Sequence, residues 1–164
     1  MKDKVDRPVD LQDTVSHWQE VLDIRFRQFL EQATALNLEE AERHLLVFSS
    51  LLTVRLDIQQ GHLQTLDDGE PIQLIEADHA ILRNLTARTR HSLDRISAAD
   101  HPRSELINHL NTFTKLMNVL RNHDLRIVDA VYGNIDQVLT KKANLDHADR
   151  MNEAMLNAMN PQVH

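Results

Sequence analysis

Residues 45–66 have the sequence LLVFSSLLTVRLDIQQGHLQTL, in which apolar residues recur every three or four positions. This period is that of an amphipathic α-helix. Its apolar face consists of Leu45, Phe48, Leu52, Leu56, Leu63 and Leu66. Arg55 and Gln59 lie on the same face, so the sequence predicts a helix that carries polar side chains into a hydrophobic core.

Three further segments repeat this helical period. The first runs from about Val9 to Leu36, and the third carries its inward stripe from Ile75 to Ile96. The fourth has an inward stripe that consists of Leu106, Leu110, Phe113, Met117, Leu120, Asp124, Ile127, Val131, Ile135 and Val138. A weaker stripe predicts a short fifth helix that caps the others, and it consists of Leu145, Ala148, Met151, Met155 and Met159.

The breaks between these segments carry helix-terminating residues. Asn37 and Glu40 have the spacing of a capping box at the start of the second helix. Gly69 suits a left-handed cap after that helix, and Pro71 suits the first turn of the third. The connections are short, which favours antiparallel neighbours.

The predicted fold is therefore all-α, an up-down-up-down antiparallel four-helix bundle with a short C-terminal fifth helix. We expect one domain over residues 1–164, with a core of about 9–140 and a C-terminal helix over 143–160. Three glycines and four prolines are few for a loop-rich or β-rich fold, and the lack of cysteine excludes disulfides and thiolate-bound metals.

Charge and hydropathy limit the classes of partner. A formal charge of −7 disfavours nucleic acid, because phosphate binding needs clustered Lys and Arg. No run reaches the roughly 18 apolar residues that span a bilayer, and the opening MKDKVDRP lacks the apolar core of a signal peptide. We therefore expect a cytoplasmic protein with no nucleic-acid or membrane partner, which we predict to be a monomer or homodimer.

The sequence offers no signature of catalysis. It contains no Gly-rich phosphate loop, no cysteine nucleophile and no His-Glu-x-x-His pair. We therefore predict that the protein is not an enzyme, and we assign no catalytic and no organic cofactor-binding residue.

Polar residues from three of the predicted helices share one level of the bundle. If each helix runs antiparallel to the one before and rises 1.5 Å per residue, several polar residues come to lie at a similar height in the bundle. They are Arg55, Gln59, His79, His123 and Asp124, with His17 at the margin. Burying such groups without partners costs about 1–3 kcal/mol each. We therefore expect Arg55 to pair with Asp124, and Gln59 to form a hydrogen bond with His79.

Three stretches resemble helices of the hemerythrin-like (HHE cation-binding) domain family. Residues 51–63 (LLTVRLDIQQGHL), 76–85 (EADHAILRNL) and 120–136 (LRNHDLRIVDAVYGNID) resemble its second, third and fourth helices. The resemblance covers about residues 11–139. It implies the four-helix fold, in which the family holds two irons with histidines and bridging carboxylates.

The resemblance carries only part of the ligand set. His17, His79 and His123 match ligand positions, whereas Arg55 stands in place of a histidine. Gln59 and Ile127 stand in place of the two bridging glutamates. A guanidinium cation cannot ligate a metal and isoleucine has no donor atom, so the resemblance does not imply an intact di-iron centre.

Three interpretations are open, two of them from this resemblance and the third from a separate one. In the first, the metal site is degenerate and the protein is a small regulatory bundle that binds a protein partner. In the second, the protein either holds one divalent ion (iron, zinc or manganese) on His79 and His123, with or without His17 and helped by Asp124 or Asp78, or responds to O₂ or redox state. In the third, residues 48–66 resemble the second helix of the regulator-of-sigma-D type of bundle, which implies a sigma factor as partner.

Overall fold

All the chain described by the computed structural model, residues 11–64, 69–132 and 141–159, is helical apart from short turns. The prediction of an all-α protein is confirmed for this part of the chain. Its elements are α1 (Leu11–Thr34), α2 (Leu38–Leu63), α3 (Glu70–Ala98), α4 (Pro102–Ile127), a π-helical turn that continues α4 (Val128–Tyr132), and α5 (Lys141–Met159). None of these helices has the length and apolarity needed to cross a lipid bilayer.

The turn between α1 and α2 is closed by backbone hydrogen bonds. The N–H of Asn37 donates to the carbonyl of Gln32 at 2.9 Å, and that of Leu36 donates to Ala33 at 3.0 Å. Leu36 adopts the left-handed conformation, with φ 62°, that this C-terminal motif requires. The Asn37 side chain donates to Gln32 Oε1 instead of capping α2, so the predicted capping box with Glu40 is wrong.

Gly69 is the N-cap residue of α3 rather than a cap of α2. Its φ of −161° and ψ of 168° are extended, so the predicted left-handed conformation is wrong. Pro71 occupies the first turn of α3, as predicted, where its missing N–H has no helical acceptor in any case.

The helices pack mainly in two pairs. α1 with α2 and α3 with α4 share the most extensive contacts, α2 with α3 fewer, and α1 with α4 fewer still. Phenylalanine rings pack both within and between these pairs. Phe26 contacts Phe48 of α2, in its own pair, at a centroid distance of 5.0 Å, and Phe29 contacts Phe113 of α4, in the other pair, at 5.1 Å. The hydrophobic core therefore lies between all four helices.

The fourth helix differs from its prediction at one inward position. Leu106, Phe113, Met117 and Leu120 are buried, but Leu110 keeps 38% of its surface exposed. The physical reason is the limited contact between α1 and α4, which leaves that edge of α4 uncovered. The other inward predictions on this segment that follow residue 130, and Leu66 on the second, lie outside the described side chains.

The predicted fifth helix is confirmed as α5. Ala148, Met151 and Met155 are buried, as the stripe predicts, whereas Leu145 lies outside the described side chains. α5 packs against α2 and α1, so it covers the outer face of that helical pair.

Candidate functional site

The core contains a polar cluster, defined here as Arg55 and Gln59 on α2, His79 on α3 and His123 on α4. Their exposed fractions are 1%, 0%, 3% and 0%. Residues this polar are seldom so completely buried, and each needs a hydrogen-bond or ionic partner to offset its lost hydration. Asp124 and Asp78 lie at the edge of the cluster.

A buried ion pair joins α2 to α4. Arg55 Nη2 donates to Asp124 Oδ1 at 2.5 Å, so the predicted pairing of these residues is confirmed. Burial raises the pKa of Asp124, while the adjacent guanidinium of Arg55 acts in the opposite direction. Arg55 Nε and Nη1 have no hydrogen-bond partner among the described residues.

The amide of Gln59 contacts His123 rather than His79. His123 Nε2 and Gln59 Oε1 are 2.9 Å apart, so the predicted Gln59–His79 hydrogen bond is wrong. Gln60 takes that role, with its Oε1 2.9 Å from His79 Nδ1. Successive helical residues point about 100° apart, which turns Gln59 into the core and Gln60 toward α3.

The hydrogen bonds around Gln60 fix the tautomer of His79. Gln60 Nε2 donates to Glu76 Oε1 at 2.8 Å, so the amide oxygen faces His79 and accepts from its Nδ1–H. In the neutral ring, His79 Nε2 then carries a lone pair. This nitrogen is buried and has no hydrogen-bond partner among the described residues.

Both histidines are electrically neutral near pH 7. Burial is the main cause that lowers the pKa of His79 to about 4, and the charge of Arg83 adds to it. Burial, followed by the charge of Arg55, lowers the pKa of His123 to about 3. Their rings meet edge to face with centroids 5.0 Å apart.

A second charged pair borders the cluster on the α3–α4 side. Asp78 accepts a short hydrogen bond from Arg126 Nη1, and its Oδ2 lies 3.7 Å from His123 Nδ1. Gln60 and Arg126 were not among the residues predicted for the site. Their positions in the sequence could have indicated both residues, because Gln60 follows Gln59 directly and Arg126 lies one helical turn after His123.

Two predicted site residues stand apart from these contacts. His17 is half-buried on α1, and the structure gives it no hydrogen bond or ion pair with the described residues of the cluster. Ile127 is fully buried in the hydrophobic core. Of the predicted metal ligands, the structure therefore brings His79 and His123 into ring contact and pairs Asp124 with Arg55, and it gives His17 no such contact with them.

Within the described ranges, no three His, Asp or Glu side chains are grouped so that they could hold a metal ion. The assignment of metal ligands stays a prediction. Comparison of the chain with protein-family models, curated proteins and solved structures found no match.

Proposed function

We propose that this chain is a hemerythrin-like, up-down-up-down four-helix bundle that has lost its di-iron centre and acts in the cytoplasm by binding another protein. The observation that carries the proposal is the Arg55–Asp124 ion pair. A guanidinium, which cannot ligate a metal, is fully buried where the family resemblance would require a histidine.

The residues present do not fit two irons. Gln59 is engaged by His123, and Ile127 is a core residue without a donor atom, so both bridging carboxylates are missing. Arg55 also places a positive charge beside the two histidines, which would repel a cation. No step of a reaction is assigned to this cluster.

Surface side chains support the choice of a protein partner. Ile107 and Leu125 on α4 keep 64% and 68% of their surface exposed, although both are large and apolar. Apolar groups of this kind contribute most of the free energy when they are covered by another protein. The absence of an assignable nucleophile or phosphate loop in the sequence is consistent with this role.

A second candidate function is the binding of one divalent ion, and it has its own supporting observation. His79 Nε2 carries a buried lone pair, and His123 has the same property at Nδ1 when its Nε2–H donates to Gln59. Neutral imidazole nitrogens are ligands for iron, zinc and manganese, and Asp78 could add a carboxylate oxygen.

Affinity purification combined with metal analysis tests both candidates. The chain, with a tag that contains no histidine, is purified under native conditions with and without a chelator wash. We expect one protein to copurify repeatedly, to bind again at fixed stoichiometry when both are purified separately, and to do so without added metal.

Either of two results would contradict the proposal. A chain that emerges alone from repeated purifications would argue against a stable protein partner. Iron, zinc or manganese at about half occupancy or more, removed by the chelator, would replace the first candidate with the second.

A further inference from the structure

The outer face of α3 presents one continuous line of exposed side chains, called here the outer seam. Residues that recur at alternating spacings of three and four lie in one line along a helix. The outer seam consists of Leu74, Ala77, Ile81, Asn84, Arg88 and His91, all of them exposed. It extends over about 26 Å at 1.5 Å per residue, and it is accessible along its whole length.

The two halves of the outer seam differ in chemistry. The first half is apolar, because Leu74 and Ile81, which are 49% and 45% exposed, lie on either side of Ala77. The second half contains Arg88 and belongs to residues 79–93, where three arginines and no acidic residue occur. This stretch is a local exception in a chain of net charge −7. The outer seam therefore has an apolar end and a cationic end.

A second cation, Lys115 of α4, lies next to the cationic end. Arg126 follows Lys115 by three helical turns, so the two side chains point to the same side of α4. Because Arg126 contacts Asp78 of α3, this is the side that faces α3. Lys115 is exposed, so it borders the outer seam at the surface.

Arg88 lies on the matching side of α3. Arg95 follows it by two turns and pairs with Glu105 of α4, with Nη2 and Oε1 2.8 Å apart. The end of α3 therefore lies beside the start of α4, and Arg88 and Lys115 come to a similar height. Neither of them forms a hydrogen bond or ion pair with any residue in the described ranges. The acidic side chains that flank them are already paired with arginines, so these two cations are not neutralised.

A second copy of this chain does not complement the outer seam. In a parallel pair of α3 helices, Arg88 would face the same residue of the other copy. In an antiparallel pair centred on Asn84, Ile81 would face Arg88, and Leu74 would face Arg95. The first arrangement opposes like charges, and the second covers cations with apolar groups. The complementary surface is therefore one that is apolar at one end and carries carboxylates at the other.

We propose that the outer seam and Lys115 bind an amphipathic helix of another protein, with apolar residues along one half and Asp or Glu along the other. The apolar half covers Leu74, Ala77 and Ile81, and the carboxylates pair with Arg88 and Lys115. A helix of about 18 residues matches the length of the seam. This inference rests on the proposed protein-binding function and names the surface and the chemistry of the partner.

A synthetic helical peptide tests the chemistry of the partner. A fluorescein-labelled peptide of about 18 residues, with leucines on one half of its exposed face and glutamates on the other, is titrated with the full chain and followed by anisotropy. A version with lysine in place of glutamate and a scrambled version are compared. We expect the glutamate peptide to bind at least about tenfold more tightly than either. The net charge of −7 alone would favour the lysine peptide, so non-specific attraction cannot produce this order.

Charge reversal locates the cationic end on the protein. Arg88→Glu with Lys115→Glu reverses the two unpaired cations, and Arg90→Glu with Arg103→Glu makes the same change of charge off the seam. Arg90 points about 200° away from Arg88 around α3, and Arg103 points about 120° away from Lys115 around α4. We expect the first variant to bind the glutamate peptide about tenfold more weakly and to prefer the lysine peptide, and the second to change its affinity less than about threefold. All four side chains are exposed, so circular dichroism should show both variants folded.

Substitution of exposed apolar residues locates the other end. Leu74→Ser with Ile81→Ser removes the apolar half of the outer seam. Ile24→Ser with Leu156→Ser removes two residues of 41% and 54% exposure on α1 and α5, and is the matched control. We expect the seam variant to weaken the glutamate peptide about tenfold and the control to change its affinity less than about twofold.

Three outcomes would overturn the inference. One is a glutamate peptide that binds no more tightly than the lysine peptide, or equally well to both charge-reversed variants. Another is a labelled oligonucleotide that binds more tightly than the glutamate peptide and is lost on charge reversal at Arg88 and Lys115, which would make nucleic acid the ligand. The third is a sedimentation result in which the chain alone dimerises and the variant at Leu74 and Ile81 does not, which would make a second copy the occupant.

Copurification separates the failure of this inference from the failure of the proposed function. A cellular partner that both seam variants retain would show that the outer seam is not the docking surface, while the proposed function stands. If no partner copurifies with the wild type, the proposed function itself is contradicted. A partner that the seam variants lose and both control variants keep supports the inference.

Discussion

Arg55 places a full positive charge in the hydrophobic core, where Asp124 is its ion-pair partner among the described residues. A buried ion pair gains little stability overall, because the loss of hydration of both groups offsets most of their attraction. Its effect is on specificity, since any other register of α2 against α4 would leave Arg55 buried without a counter-charge. We therefore expect the pair to determine how α2 and α4 are arranged more than it stabilises the fold.

Removing one member of this pair should be costly. We expect Asp124→Ala to lower the free energy of unfolding by about 3 kcal/mol, because the guanidinium of Arg55 stays buried and unneutralised. The double variant Arg55→Met with Asp124→Leu should recover most of this loss. Urea denaturation measures both changes.

An exposed ion pair supplies the control for that measurement. Asp57→Ala breaks the contact between Arg83 and Asp57, whose side chains are 44% and 64% exposed. This change should cost less than about 1 kcal/mol. Equal losses for Asp57→Ala and Asp124→Ala would show that Arg55 is not buried as described.

The two buried histidines predict a pH dependence of stability. Their folded pKa values, about 4 for His79 and about 3 for His123, lie below the unfolded value of about 6.5. The unfolded chain therefore binds more protons at acidic pH, so stability is full above about pH 7 and decreases as the pH is lowered through 6.5. From pH 7.5 to 5 we expect a loss of about 3–4 kcal/mol from these two groups.

A double variant separates the contribution of the two histidines to the pH dependence of stability from that of all other titrating groups. His79→Gln with His123→Gln should show a flatter decrease of unfolding free energy over the same pH range, measured by urea denaturation at each pH. If the wild type and this variant have parallel pH profiles, the imidazoles are not buried in the neutral form.

The height of the polar residues in the bundle could be predicted from the sequence, but not all their hydrogen-bond and ion-pair partners. The antiparallel order of the helices predicts which residues lie at the same height in the bundle, so it predicted the pair of Arg55 with Asp124. It does not specify the rotation of each helix about its axis, and a 100° difference exchanged Gln59 for Gln60 as the partner of His79. Arg126 was missed for the same reason, because its contact with Asp78 depends on how α3 and α4 face each other.

At the scale of helices, the apolar period predicted each of the five α-helices in the described part of the chain, but neither the π-helical turn after α4 nor what covers each helical face. Leu110 belongs to the same stripe as Phe113, yet it stays 38% exposed in a bundle where α1 and α4 make limited contact. A stripe reports which residues are apolar, whereas burial also depends on the neighbouring helix. Helix ends were less predictable, since Leu36 rather than a glycine takes the left-handed position after α1.

One glycine inside a helix offers a direct test of helix propensity. Gly61 is exposed near the end of α2, and an added Cβ would meet no atom within 4 Å. We expect Gly61→Ala to raise the free energy of unfolding by about 0.5–1 kcal/mol, because alanine loses less backbone entropy on folding. Thermal and urea denaturation should both report the increase.

Gly69 is the matched control for that substitution. It is the extended residue that precedes α3, where glycine is a better helix N-cap than alanine. Gly69→Ala should therefore give no gain in stability. A gain at Gly69, or a loss at Gly61, would contradict the helical boundaries described for α2 and α3.

At the scale of the whole molecule, the proposed relationship to hemerythrin-like domains depends on aligning α2, α3 and α4 together. Restoring the missing ligands tests that alignment in one experiment. The triple variant Arg55→His, Gln59→Glu and Ile127→Glu supplies the histidine and the two carboxylates that the resemblance requires beside His79 and His123. Without metal, we expect it to be less stable by several kcal/mol, because two new carboxyl groups are buried.

Added iron should reverse that loss, since a metal that binds only the folded state raises its stability. We expect iron to give the triple variant visible absorbance and a higher melting temperature, both abolished by a chelator. The double variant that keeps Ile127 lacks one bridging carboxylate and should gain neither. A triple variant that is folded and colourless with iron would mean that Gln59 on α2 and Ile127 on α4 do not face a common centre. The cluster would then be a structural polar core with no ancestry in metal binding, and the fold would have to be compared with other bundles.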